Sequence, residues 1–136
     1  MDLILSSYIP ILKKNNIEFI VNYFDGNIQI DKIDLYTLVG NLVDNAIENC
    51  SSKITKKIIF DIYEKEEYLY IDLKNTCDHN PLQQIETFQT TKENKKDHGI
   101  GLKSIDMIVK KYEGSFTHDY SLYYLTSHVR LKNKEY

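Results

Sequence analysis

Tryptophan is absent from the 136 residues, and cysteine, proline and glycine are scarce at two, two and five. Two cysteines, Cys50 and Cys77, are too few for a disulfide framework, and no CxxC or His/Cys spacing points to structural zinc, so a reducing compartment is expected. Few prolines and glycines, together with 42% hydrophobic and 27% charged residues, exclude a disordered tail or a fibrous repeat. Cationic excess is missing as well. Against 17 Lys+Arg stand 20 Asp+Glu, a net charge of -3, which leaves no positive field to hold a polyanion, and nucleic acid is not expected as a partner. No apolar run reaches the roughly 20 residues needed to cross a bilayer. The start, MDLILSSYIPILKKNN, has neither a basic n-region nor a small-residue cleavage site. One globular domain over residues 1–136, cytosolic or facing the cytosol, is the expectation.

Hydrophobic spacing supplies the elements. Leu3, Ile4, Tyr8, Ile11 and Leu12 recur at helical spacing and predict a helix over residues 1–16. IEFIVNYF (17–24) is rich in β-branched and aromatic residues, and Asp25-Gly26-Asn27 before NIQI predicts a small hairpin. Asp31 or Asp34 can cap a helix running to about Asn49. KKIIFDIY (56–63) and EYLYIDLK (67–74) predict two strands, the second alternating Leu69, Ile71 and Leu73 with polar and aromatic residues. From Asn75 to His98 the apolar pattern nearly stops, and a polar loop of that length in a compact domain is usually functional. Helical spacing resumes from Gly99 to Tyr112, with Gly114 placed for a C-terminal cap or turn. SFTHDYSLYYLTSHVRLK then predicts two antiparallel strands turning near residues 119–121. The order predicts an α/β (α+β) two-layer sandwich: a mixed, mostly antiparallel sheet with about three helices on one face.

The middle helix is the place where chemistry is suggested. At about 100° per residue, Leu35, Val39, Leu42, Val43, Ala46 and Cys50 form one stripe, and Asn41, Asp44, Asn45 and Glu48 project from the opposite side. A solvated helix surface is the plain alternative. Asparagine, however, is a poor helix former whose amide competes for backbone hydrogen bonds, and a surface helix has better choices in Lys, Glu or Gln. Amide and carboxylate oxygens are the hard ligands that Mg²⁺ takes, with phosphates and waters completing its octahedron. Asn41 and Asn45, one turn apart, suit that role if a nucleoside triphosphate lies against the helix. The second place is Thr90-Thr91-Lys92 and then His98-Gly99-Ile100-Gly101-Leu102. Glycines at a helix start let backbone N–H groups approach an anion. An ordinary loop-to-helix junction would look the same. The dinucleotide fingerprint is excluded, because no strand leads into these glycines and the third glycine is missing.

GNLVDNAIENC (40–50), together with TFQTTK (87–92) followed by HGIGLKSIDMIVKKYEG (98–114), resembles the N box, lid and G2 box of the catalytic ATP-binding domain of sensor histidine kinases in the GHKL superfamily. The AgrC-like quorum-sensing branch is the most similar, and the resemblance covers roughly Ile17 to the C-terminus. It implies a Bergerat-type sandwich with ATP between the N-box helix and a lid over residues 77–98. Mg²⁺ would be held by Asn45, with Asn41 and Asp44 beside it. Gly99 and Gly101, with His98, Ile100 and Leu102 around them, would take phosphate-facing turns. Thr90, Thr91 and Lys92 would lie on the lid over the phosphates. Glu48 would orient an incoming imidazole or be solvated.

Two departures from the family pattern matter. Most of the superfamily has an Asp-x-Gly-x-Gly box whose Asp binds the adenine amine. Here the corresponding run is Asn75-Thr76-Cys77-Asp78-His79, both glycines are gone, and the Asn75 carbonyl is the expected acceptor. An Asn at this place is common in the AgrC-like branch. Secondly, none of His79, His98, His118 and His128 lies in a phosphoacceptor helix, so the acceptor histidine and the dimerisation helices are expected elsewhere. The resemblance thus implies the catalytic part of a membrane-anchored bacterial sensor kinase whose full-length form is a homodimer with a response regulator downstream, this part alone being monomeric. The alternative is an interaction module that keeps the sandwich and has weak or lost nucleotide binding.

Overall fold

Pro10 shapes the start of the chain. Its ring fixes φ and removes a donor, and the stripe expected as one helix over residues 1–16 forms two short ones, α1 (Asp2–Ser6) and α2 (Ile9–Lys14). Pro10 occupies the first turn of α2, where a missing N–H has no intrahelical partner to lose. Leu5 and Leu12 are buried between them and the body of the domain, and Tyr8 donates its hydroxyl to the Gly40 carbonyl at 3.1 Å. The structure, a computed structural model, describes residues 2–84 and 96–134.

β1 (Ile17–Asn22) does not form the expected hairpin with NIQI. It pairs in parallel with β2 (Lys56–Lys65), from Ile17 opposite Lys56 to Asn22 opposite Asp61. NIQI instead runs past the core. Ile30 is buried and Ile28 packs against the same cluster, while Asn133 satisfies the backbone there: its Oδ1 accepts from the Gln29 N–H at 2.7 Å and its Nδ2 donates to the Asn27 carbonyl at 3.0 Å. Burial of two isoleucines with their peptide groups paired outweighs a short two-strand ladder at an edge.

The crossover between β1 and β2 is α3 (Lys32–Asn49). Asp31 is its N-cap, with Oδ1 accepting from the Ile33 N–H at 2.9 Å, and Asp34 is thereby left for another partner. β3 (Tyr68–Thr76) returns antiparallel to β2 through a two-residue turn, Glu66-Glu67. A short 3₁₀ turn (Pro81–Gln84) follows, then α4 (Lys96–Lys111), β4 (Ser115–Ser121) and β5 (Tyr124–Lys132). The last turn is Leu122-Tyr123, just beyond the 119–121 expected, and its two residues share positive φ with Glu66 and Glu67. The sheet order is β1-β2-β3-β5-β4, with every pair but β1 and β2 antiparallel.

Strand alternation sorts the two faces. Ile58, Phe60 and Ile62, Leu69, Ile71 and Leu73, and Val129 and Leu131 are buried in one cluster with Leu38, Val39, Leu42 and Val43 of α3 and Ile105 and Val109 of α4. Tyr63, Tyr70, Asp72, His128 and Arg130 occupy the other face, partly open to water. The expected two-layer sandwich is therefore formed. The end of α4 differs in one respect. Glu113, not Gly114, takes the left-handed conformation (φ 52), and the N–H groups of Glu113 and Gly114 close the helix onto Lys110 and Val109. Gly114 is required for another reason: a Cβ there would stand 1.7 Å from the Arg130 carbonyl oxygen.

Candidate functional site

α3 carries the amide pair on its flank. Its buried stripe is Leu35, Leu38, Val39, Leu42, Val43 and Ala46, so Asn41 and Asn45 are left half-buried while Asp44 and Glu48 are exposed. Neither asparagine side chain has a hydrogen-bond partner among the described residues, and the bond made at Asn45 is to its backbone carbonyl, from Asn49 Nδ2 at 2.8 Å. Half-buried amides that touch solvent and have no protein partner are open to a ligand, which can exchange their water for a bond worth about 1 kcal/mol. Burial, with the Asp44 carboxylate next, raises the Tyr8 phenol well above its usual range, so Asp44 stands on the flank of α3 that faces the α1–α2 segment.

Asn75 continues the inward row of β3. Leu69, Ile71 and Leu73 alternate into the core, and Asn75 follows in phase, 2% exposed. Its Nδ2 donates to the Thr76 carbonyl at 3.1 Å, which leaves the side-chain carbonyl without a donor among the described residues. An amide oxygen in that condition is available to accept from a ligand.

The turn after Asn75 is bolted in place by residues that periodicity cannot single out. The Ser51 N–H donates to the Thr76 carbonyl at 2.8 Å, and Ser51 Oγ accepts from the Asp78 N–H at 3.0 Å. On the other side, the Cys77 N–H donates to the Tyr123 carbonyl, and the Tyr120 hydroxyl donates to the Cys77 carbonyl, both at 2.8 Å. Cys77 is 3% exposed with Sγ 3.1 Å from the His79 carbonyl, and Cys50, at the end of the apolar stripe read from the sequence, is half-buried. The bonds of Ser51, Tyr120 and Tyr123 to this turn join segments 25 to 46 residues apart, which is why no local pattern announces them. A cavity of about 450 Å³ lies beside the turn, lined by Ser51–Ile54, Thr76–Asp78, Tyr123 and Tyr124; none of Asn41, Asn45 and Asn75 lines it.

Gly99 and Gly101 fall inside α4 as described, Lys96–Lys111, and not in a turn ahead of it, with His98 and Ile100 between and before them. Leu102, next along the helix, is half-buried. Thr90, Thr91 and Lys92, and most of the expected lid over residues 77–98, lie outside the described residues. No group of three or more His, Cys, Asp or Glu among the described residues could hold a metal ion on its own. A cation at α3 would therefore be shared between an amide oxygen and the oxygens of a ligand, which is the habit of Mg²⁺ with phosphates. The donor set fits that ion. Among the described residues no helix is long and apolar enough to cross a membrane.

The GHKL domain family matches residues 30–131. No curated protein sequence matches the chain. Among solved structures, the catalytic domain of histidine kinase ThkA superposes with a TM-score of 0.77 at 17% identity, covering 99% of this chain and 92% of that one. Mycobacterial sensor histidine kinase MprB gives 0.71 at 17% identity, covering 99% and 95%. Full-length ShkA in complex with AMPPNP gives 0.77 at 12% identity, covering 99% of this chain and 29% of that one. At such identities the likeness is one of fold. The family match, by contrast, runs through α3, the turn after Asn75 and α4, over well more than half of the sequence, and the chain belongs to the GHKL domain family.

Proposed function

We propose that this chain is the ATP-binding catalytic domain of a two-component sensor histidine kinase, transferring the γ-phosphoryl group of Mg-ATP to a histidine on a dimerisation domain of its own kinase. One observation carries the proposal: Asn41 and Asn45, one turn apart on α3, are half-buried with side chains that bond to nothing else described. Asn45 would hold Mg²⁺, which when bound neutralises charge on the phosphates. Asn41 would lie beside the phosphates, and the Asn75 carbonyl would accept from the adenine amine. Thr90, Thr91 and Lys92 would cover the phosphates, and Glu48 would face the incoming imidazole.

Asn75 in place of the usual aspartate also supports the AgrC-like quorum-sensing branch, with a membrane-anchored homodimer as the full protein and a response regulator downstream. A neutral acceptor makes a weaker bond than a carboxylate, so ATP affinity should be modest. Isothermal titration with a non-hydrolysable ATP analogue, with and without Mg²⁺, tests the proposal. We expect saturable, Mg²⁺-dependent binding that is lost in Asn45→Ala while the thermal melt stays cooperative. Equal binding in the variant would refute the role of Asn45. No binding up to millimolar analogue would favour an interaction module that has kept the sandwich and lost the nucleotide.

A further inference from the structure

The start of α3 and the end of α4 are tied by three side chains. Asp34 Oδ2 accepts from Lys111 Nζ at 2.7 Å and from the Tyr112 hydroxyl at 2.6 Å. The same hydroxyl oxygen accepts from the Asp31 N–H at 3.2 Å. One phenol oxygen thus serves both the N-cap backbone of α3 and the carboxylate in its first turn. Tyr112 is itself anchored, 5% exposed with its ring in the core, its carbonyl accepting from the Lys132 N–H at 2.8 Å. Lys111 Nζ lies 5.5 Å from the centre of that ring. Hydrogen bonds from Lys111 and then Tyr112 hold the Asp34 carboxyl below its ordinary value, so the clamp is charged at neutral pH.

Its position gives it leverage. Asn41 and Asn45 follow Asp34 by seven and eleven residues, about 10 and 16 Å along the axis at 1.5 Å per residue. Gly101 precedes Lys111 by ten residues, about 15 Å back along α4. A change of about 5° in the angle between two such arms moves their far ends by roughly 1.3 Å. Misplacement on the order of 1 Å is enough to cost about a hundredfold in a reaction that depends on alignment.

We propose that Asp34, Lys111 and Tyr112 are positioning residues for the nucleotide site, fixing the angle between α3 and α4 at one end and so the spacing between the Asn41–Asn45 amides and the glycine segment of α4. This rests on those amides facing nucleotide, as proposed above. Tyr112→Phe removes the hydroxyl and keeps the ring; Asp34→Asn keeps the shape and removes the charge. His128→Gln is the control, since it breaks a bridge of similar make on the opposite face of the sheet.

Three quantities are measured for each variant of the whole chain: the melting temperature, the affinity for Mg²⁺ with AMPPNP by calorimetry, and backbone amide exchange. We expect the two clamp variants to bind about fivefold more weakly, within the range of remote mutations, and to exchange faster over residues 41–45 and 101–105. His128→Gln should lower the melting temperature and change neither. Equal loss of affinity in the control, or unaltered exchange in the clamp variants, would overturn the proposal. If the unmodified chain binds no nucleotide, the proposed function falls, and exchange alone decides whether the clamp sets the geometry of α3 and α4.

Discussion

His128 makes stability depend on pH in a direction that the structure fixes. On the outer face of the sheet its Nδ1 is 2.9 Å from Asp72 Oδ1 and its Nε2 is 2.6 Å from Asp119 Oδ2, so one ring on β5 joins β3 and β4. A neutral imidazole donates from one nitrogen only. Deprotonation therefore turns one of the two bonds into a lone pair facing a carboxylate. Burial works against the charged ring, but the hydrogen bonds to Asp119 and Asp72 outweigh it, and the His128 pKa is raised above its ordinary 6.5. A group whose folded pKa is raised contributes fully below the unfolded value and loses its contribution as pH rises through the folded one. The window accordingly opens near 6.5 and extends upward.

A charge-assisted bond between buried groups is worth about 1.5–3 kcal/mol. The His128 and Asp119 side chains are 40% and 60% exposed, so solvent screening reduces the figure to about 1 kcal/mol. Urea unfolding of the wild type and of His128→Gln at matched pH is the assay. The gap should be about 1 kcal/mol near pH 6, worth about 4 °C in melting temperature for a domain of this size, and should shrink toward zero as pH rises. Subtracting the variant cancels the other histidines. A gap that is flat or widens between pH 6 and 9 would refute the double bridge.

Three further outcomes follow from backbone geometry. Glu66 and Glu67 both hold positive φ, 52 and 68, in a two-residue turn; at about 1 kcal/mol or more for each strained residue, Glu66→Asn with Glu67→Gly should raise the unfolding free energy by about 1–2 kcal/mol, and a loss measured by urea titration would refute the turn. Gly114→Ala meets only backbone, with the Arg130 carbonyl oxygen at 1.7 Å and its carbon at 2.8 Å, so a loss of about 3 kcal/mol or failure to fold is expected, and a melting temperature within a degree of wild type would contradict it. Asp31→Ala removes the α3 cap and should cost about 1 kcal/mol, read by chemical denaturation; no loss would mean that Asp34 takes over the cap.

Sequence pattern carries the sandwich and its inner faces because burial repeats with the period of each element. The buried stripe of α3 and the inward rows of β2 and β3 need only local spacing, and they lie where that spacing puts them. What fails is decided by distant partners. NIQI has the alternation of a strand, yet Asn133, more than a hundred residues on, takes its backbone bonds. Asp31 and Asp34 look alike as caps, and only the arrival of Lys111 and Tyr112 separates them. Within the candidate site, Asn41 and Asn45 are legible as amides in an unfavourable place on a helix, and Asn75 only through the family resemblance. The Ser51, Tyr120 and Tyr123 bonds that hold the Asn75 turn are not, since serine and tyrosine are ordinary in loops and strands.

The amides themselves separate two kinds of chemistry. Hydrolysis of ATP needs a base beside the attacking water. Asn41, which the proposed function puts beside the phosphates, is an amide and takes no proton at neutral pH. Of the carboxylates on that side of α3, Asp44 lies one turn on, near the Tyr8 phenol, and Glu48 two turns away, both exposed. A histidine acceptor brings its own nucleophilic nitrogen, so the transfer asks the protein for alignment and charge neutralisation instead of deprotonation. That division of labour suits this helix. In the proposed function its amide oxygens would hold and orient the ligand but not activate water, and the ties between its start and α4 lie about 10 Å or more from the amides, where they can set geometry without competing for the ligand.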